Sequence, residues 1–195
     1  MRTALLLLAS TFLLVSPSYA ADEIEVVTLD GNQSKEYGWS GLYAGITGGY
    51  GWLRDVDRSF APPLVSRGDD WIIGVHAGYL YQWNQMVLGA EIAYSDLNIQ
   101  FDNFPVTVED AATIRVRAGF AMQNWLFSVH GGAVYATTNI GLDDWGYNLG
   151  LAVEYMVTEN ITAGLQYDHN SFNRFDGTLI DATVDTIALR IGYKF

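Results

Sequence analysis

Two polar residues near the end of the chain have types and a spacing that suit nucleophilic catalysis. His169 and Ser171 are separated by one residue, so in an extended strand both side chains project from the same face. A neutral imidazole can take the proton of a serine hydroxyl, which then attacks an ester carbonyl. Asp176 and Asp181 follow within reach and are expected to orient the imidazole. The pair predicts a hydrolase site; the alternative is two ordinary polar residues of a connection.

A second set of residues carries opposite charges on segments that are otherwise apolar. Glu91 and Glu154 lie on two such segments, and Arg115, Arg117 and Arg190 lie on two others. A buried charge without a partner costs several kcal/mol, so charges that share one interior are expected to pair. Two interpretations stay open. The charges line a selective pore, or they form a salt-bridged plug that fills a narrow lumen.

The elements that must position these residues are β-strands. The last ten residues, TIALRIGYKF, place apolar side chains at every second position, which is the period of a strand with one apolar face. Seven earlier segments repeat this pattern. The predicted strands are centred on residues 42–52, 71–79, 88–94, 114–122, 127–135, 147–155, 161–167 and 187–195.

The connections between these segments alternate in length. Three are tight turns, at 81–85, 122–125 and 157–160, whereas four are longer or more polar, at 53–70, 95–110, 137–144 and 169–182. Short turns at one end and longer loops at the other are typical of an outer-membrane barrel. An even strand number places both termini at the same end, which we expect to be the periplasmic end.

The composition of the two strand faces distinguishes a membrane barrel from a soluble one. One face is apolar with aromatic residues near the strand ends, where amphipathic rings favour the two membrane interfaces. The other face carries glycines and the long charged side chains, which suit a narrow interior. An open sheet edge would leave backbone groups unpaired in hydrocarbon, so the last strand must pair with the first. The sequence predicts an all-β, eight-stranded antiparallel up-and-down transmembrane β-barrel.

The N-terminus has the pattern of an export signal. Arg2 precedes a short apolar run, and Ser18 and Ala20 occupy the small-residue positions before a cut after residue 20. We therefore expect a signal peptide at 1–20, a periplasmic leader at 21–37 and a barrel domain at 38–195. The net charge of −12 argues against a nucleic-acid partner, and the chain has no cysteine for disulfides or thiolate metal sites.

Several stretches together resemble the small outer-membrane β-barrel, porin-like surface proteins of alphaproteobacteria. They are WSGLYAGITGGYGW at 39–52, GVHAGYLYQW at 74–83, TIRVRAGF at 113–120, HGGAVYA at 130–136 and LRIGYKF at 189–195. The resemblance implies an envelope component, treated as a porin or as a structural surface antigen. In outer-membrane barrels generally, an alternating last strand that ends in Phe is read by the barrel-assembly machinery, which would assign that role to Tyr193 and Phe195.

These observations predict a bacterial outer-membrane barrel that is porin-like or envelope-structural and has neither catalytic activity nor a metal or other cofactor. Its expected partners are outer-membrane lipid, lipopolysaccharide and the barrel-assembly machinery. One alternative function is adhesion or binding of a host or surface ligand through the long loops. The other is lipid A deacylation, because the His-x-Ser at 169–171 resembles the lipid A deacylase barrels.

Overall fold

The protein forms a closed antiparallel barrel of eight strands in sequence order, as predicted. The computed structural model describes residues 38–57, 64–100, 107–138, 143–172 and 180–195. In this part of the chain no helix is long and apolar enough to cross a membrane. The strands are β1 (Gly41–Asp57), β2 (Leu64–Trp83), β3 (Met86–Gln100), β4 (Thr107–Met122), β5 (Trp125–Thr138), β6 (Asp143–Met156), β7 (Ile161–Phe172) and β8 (Ile180–Lys194).

Closure joins the last strand to the first. β1 pairs with β8 from Tyr43 opposite Lys194 to Asp57 opposite Ile180. The amide of Phe195 also donates to the carbonyl of Leu42 at 2.9 Å. The backbone groups at this seam are therefore satisfied by the partner strand, as hydrocarbon surroundings require.

Two ends of the barrel are distinguished by their connections. At the turn end, β2–β3 and β4–β5 are joined by two residues each, in which Asn84 and Gln123 adopt positive φ, and β6–β7 are joined by residues 157–160. The tight turns predicted from the sequence are confirmed. At the other end, which we call the loop end, the four connections predicted from the sequence are longer than the gaps between the observed strands. The ladder continues through much of each, with β1 running to Asp57 and β2 beginning at Leu64.

The outside of the barrel is apolar and the inside is polar at mid-height, with exposed side chains such as Val116 and buried ones such as Arg117 alternating along each strand. Aromatic residues mark both edges of the apolar belt, for example Trp125 and Tyr135 on β5. Ten residues at about 3.3 Å each, tilted by about 40°, give a belt of about 25 Å, which matches the apolar band of outer-membrane barrels.

Candidate functional site

The centre of the lumen is organised around one carboxylate. Glu91 on β3 accepts hydrogen bonds from Arg115 Nε at 2.8 Å, Arg117 Nη1 at 3.1 Å and Arg190 Nη2 at 2.7 Å. The phenol of Tyr43 on β1 also donates to it, at 2.5 Å. The Glu91 side chain is fully shielded from solvent, with 0% exposure. The structure thus brings three arginines of two strands onto a carboxylate of a third.

A second carboxylate shares two of these arginines. Glu154 on β6 is paired with Arg117 and lies 3.1 Å from Arg190 Nε, so each of these two guanidiniums bridges two acids. Arg117 also donates to the hydroxyl of Ser128 at 3.0 Å. All five charged residues that were predicted to share the interior belong to this one network.

The network extends toward the loop end through a residue that sequence reasoning missed. Asp168 on β7 accepts from Arg115 Nη1 at 2.8 Å and from the amide of Asn148 at 3.1 Å, and it lies 2.7 Å from His130 Nε2. Its side chain is only 10% exposed. The signal was available, because Asp168 alternates with the apolar positions Leu165 and Tyr167 of the predicted strand and therefore falls on its inward face.

The central charge layer is therefore electrically balanced. Its carboxylates are Glu91, Glu154 and Asp168, and its guanidiniums are Arg115, Arg117 and Arg190. Three negative and three positive groups cancel, and each group finds its partners inside the layer. Such an arrangement offsets the desolvation of buried charges without requiring ions from solution.

Buried apolar side chains flank the central charge layer on both sides along the lumen. At the turn end the buried cluster comprises Trp39, Tyr43, Leu80, Val87, Ala121, Leu126 and Met156. At the loop end it comprises Leu53, Leu97, Val134, Ala136, Phe172, Ala182 and Val184. The charges thus lie between two buried apolar clusters.

Two cavities border the central charge layer. The larger, about 60 Å³, lies on the loop side and reaches down to Arg115 and Asp168. The smaller, about 10 Å³, lies on the turn side against Arg117 and Glu154. The two sets of lining residues have no member in common. The larger cavity has room for a few waters, and Asn148, whose buried Oδ1 atom has no hydrogen-bond partner among the described residues, is one of the residues that line it.

The predicted catalytic pair belongs to the outward face of the barrel near the loop end, where His169 is partly exposed and Ser171 is only 7% exposed. His169 and Ser171 both belong to β7, where the sequence interpretation placed a connection. The acid that contacts the imidazole is Asp185 of β8, at 2.7 Å from His169 Nδ1. Asp181 lies four residues before Asp185 on β8, nearer the loop end, and Asp176 is outside the described residues. Within the described part of the chain, no hydrogen bond joins Ser171 to His169.

The remaining predicted residues are divided between described and undescribed segments. Tyr193 and Phe195 end the chain on the outward face, with ring centroids 5.2 Å apart in an edge-to-face contact. Both rings are exposed to the surroundings of the barrel. Ser18 and Ala20, with the predicted signal peptide and leader, lie outside the described residues.

A closed barrel with an apolar belt outside and a polar core inside is a membrane-spanning β-barrel. The family model for the outer membrane protein beta-barrel domain matches residues 6–195, so the chain belongs to this family and is an outer-membrane protein.

Curated relatives are similar over most of the chain. The 25 kDa outer-membrane immunogenic protein of Brucella abortus biovar 1 (strain 9-941) is 29% identical, with 91% of each chain covered. The 22 kDa outer membrane protein of Rhizobium leguminosarum bv. viciae is 28% identical over 62% of this chain and 64% of its own. These relatives confirm the resemblance to small outer-membrane barrels of alphaproteobacteria.

Two solved structures match most of the chain at low sequence identity. Neisserial surface protein A is 15% identical, with 80% of this chain and 98% of that chain covered, at a TM-score of 0.49. The attachment invasion locus protein of Yersinia pestis is 14% identical, with 80% and 99% covered, at a TM-score of 0.47.

Proposed function

We propose that the protein is an envelope-structural component of the outer membrane that anchors four surface loops and does not conduct. The observation that carries this proposal is the central charge layer, in which three carboxylates and three guanidiniums are paired with each other. A porin-like role needs a hydrated path. Here an ion would have to separate buried pairs, and leaving one charge unpaired costs several kcal/mol.

The route to the membrane is part of the same proposal. The export pattern before Ala20 supports cleavage of residues 1–20, and the exposed aromatic end of β8 supports recognition of Tyr193 and Phe195 by the barrel-assembly machinery. The loop end would then face the cell exterior, where lipopolysaccharide surrounds the barrel. The four loops are the part of the chain offered to external ligands.

The first prediction is that the refolded barrel is electrically silent. Mature protein inserted in a planar bilayer at neutral pH should give no discrete conductance steps, because the central charge layer fills the lumen. Folding is checked beforehand by the mobility of unheated and heated samples on a gel. Reproducible steps from verified barrels would contradict the proposal.

A double variant provides the positive control for this recording. Glu91→Ala with Arg190→Ala removes one carboxylate and one guanidinium, so the net charge of the layer is unchanged while space is opened at its centre. Steps from this variant beside a silent wild type would show that barrels insert and that the layer is the barrier.

We propose lipid ester hydrolysis as a second candidate function, because one observation favours it. Asp185 holds His169 by Nδ1 at 2.7 Å and also accepts from Tyr167 at 2.7 Å, which leaves His169 Nε2 available as a base on the outer face. Ser171 is the serine two residues along the same face, at the loop end of β7. The acid and the imidazole are bonded as in a hydrolytic triad, and the serine lies on the same face without a hydrogen bond to the imidazole.

The reaction would take place on an acyl ester of a lipid in the adjoining leaflet. Ser171 Oγ would bond to the acyl carbonyl carbon while its proton passes to His169 Nε2. The bond from that carbon to the alcohol oxygen then breaks, and the alcohol leaves with the proton. Water repeats the sequence on the acyl-serine and releases a fatty acid.

Lipid A mass spectra test this candidate. A strain that carries the protein should show lipid A lacking one acyl chain, and both Ser171→Ala and His169→Ala should restore the complete form. Thr183→Ala is the matched control, because Thr183 is the cross-strand neighbour of Ser171 on the same face. Identical lipid A with and without the protein would reject the hydrolase.

A further inference from the structure

Each of the four loop-end hairpins carries the same pair of residues on its outward face. A tyrosine on the first strand reaches diagonally to an aspartate on the second, two positions nearer the loop end. The phenols of Tyr50, Tyr135 and Tyr167 donate to Asp69, Asp143 and Asp185. Tyr94 and Asp110 occupy the same positions on β3 and β4 and are also hydrogen-bonded.

Two of the four hairpins add a tryptophan directly opposite the tyrosine. Tyr50 pairs in register with Trp71, and their ring centroids are 5.6 Å apart. Tyr135 pairs with Trp145 at 5.1 Å. In both, the second strand of the hairpin carries the sequence Asp-Asp-Trp, at 69–71 within β2 and at 143–145 at the start of β6. These two hairpins, β1–β2 and β5–β6, lie on opposite sides of the barrel.

We define the aromatic-acid patches as Tyr50, Trp52, Trp71 and Asp69 on one side, and Tyr135, Trp145 and Asp143 on the other. The first has a third ring, because Trp52 lies 5.3 Å from Tyr50 and pairs in register with Asp69. The indoles of Trp71 and Trp145 are 74% and 64% exposed. Each patch therefore presents aromatic faces beside a carboxylate.

The position of the patches specifies what can contact them. Trp71 is followed on the same face by Ile73 and Trp145 by Tyr147, both exposed members of the membrane-facing belt. A molecule that rests on either indole also reaches the bilayer. The balance of charge is favourable to a cation, because the described outward side chains around the loop end include the five aspartates Asp69, Asp96, Asp110, Asp143 and Asp185 beside the single arginine Arg54.

We propose that the two aromatic-acid patches bind the ammonium headgroup of a phospholipid that lies among the lipopolysaccharide of the adjoining leaflet. A cation over the face of Trp or Tyr is attracted by the ring quadrupole, and quaternary ammonium groups are recognised in this way. The carboxylate beside the rings adds a compensating charge, since the tyrosine occupies only one of its two oxygens. The acyl chains of the same lipid lie along the apolar belt below.

Spin-labelled lipids measure this selectivity. The barrel is reconstituted in phosphatidylglycerol bilayers, and the fraction of motionally restricted probe is compared for phosphatidylcholine and phosphatidylglycerol with the same labelled chain. The wild type is expected to favour phosphatidylcholine by about two- to fivefold, the range for cation–π contacts at exposed sites. The measurement does not depend on conductance, so it can fail while the structural role stands.

Three variants separate the patches from a general effect of negative charge. Trp71→Leu with Trp145→Leu removes the indoles and keeps every acid, and it should abolish the preference. Asp69→Asn should weaken it. Asp110→Asn is the matched control, because Asp110 pairs with Tyr94 but has Ala112 where the patches have tryptophan.

The outcomes are distinct. Loss of the preference in the tryptophan variant, with retention in Asp110→Asn, supports the proposal. No preference in the wild type overturns it, and so does a preference that survives the loss of both indoles. If the double variant does not fold, Trp145→Leu and Asp69→Asn each still have to reduce the preference, and unchanged selectivity in both rejects the site.

Discussion

Glu91→Ala is expected to lower the free energy of unfolding by about 3–5 kcal/mol, the cost of leaving buried charges without their partner. Glu91 is the acceptor for Arg115, Arg117 and Arg190 at once, and for the phenol of Tyr43. Its removal leaves three guanidiniums facing two remaining carboxylates. The excess positive charge stays buried, because the three arginine side chains are at most 3% exposed and apolar clusters lie on both sides of them.

Urea unfolding of the refolded barrel, followed by tryptophan fluorescence, measures this loss. Ser128→Ala is the matched control: it removes one hydrogen bond to Arg117 and should cost only about 1 kcal/mol. Glu91→Gln keeps the side-chain volume and should lose most of what Glu91→Ala loses, which separates charge from cavity formation. A Glu91→Ala variant within 1 kcal/mol of the wild type would show that the layer does not stabilise the barrel.

The strand number, strand order and choice of face could be predicted from the sequence because one physical constraint acts along the whole chain. Hydrocarbon outside requires apolar side chains at every second position, and a narrow interior accepts glycines and paired charges at the others. Ile187 and Arg190 show this at the end of the chain, with one exposed and the other buried.

The strand ends at the loop side could not be predicted, because that constraint stops at the membrane boundary. Beyond it both faces can be polar, yet the backbone ladder continues. β1 runs on to Asp57, and β7 includes His169 and Ser171, all of which the sequence interpretation placed in connections. Loss of alternation marks the edge of the apolar belt and not the end of a strand.

The members of the charged site were predictable, whereas their pairings were not. The alternation of side chains along a strand is enough to place Glu91 and Arg115 inside the barrel. Which groups meet across the lumen depends on the stagger between strands, and no local pattern encodes it. Asp168 on β7 thus reaches Arg115 on β4. His169 contacts Asp185, although Asp176 and Asp181 are closer to it in the sequence. The cross-strand register supplies the information that residue spacing lacks.

Two adjacent glycines should respond in opposite ways to the same substitution, which provides the other large expected effect. Gly49 faces the lumen, where an added Cβ would lie 2.2 Å from the carbonyl oxygen of Ile187 and 2.7 Å from the Cβ of Ala188. A backbone atom cannot move aside without distorting the β1–β8 seam. Gly49→Ala is therefore expected to destabilise the barrel by about 1–3 kcal/mol, the usual cost of overpacking.

Gly48→Ala is the matched control one residue away on the same strand. An added Cβ there meets nothing within 4 Å, because Gly48 faces the membrane. Reduced freedom of the unfolded chain should stabilise the barrel by about 0.4–1 kcal/mol. Urea unfolding of both variants in the same lipid tests the sign of each change. Equal changes in the free energy of unfolding would mean that the direction in which a residue points does not decide whether β1 accepts a larger side chain. Opposite signs would follow from a lumen in which side chains pack directly against the backbone at the β1–β8 seam.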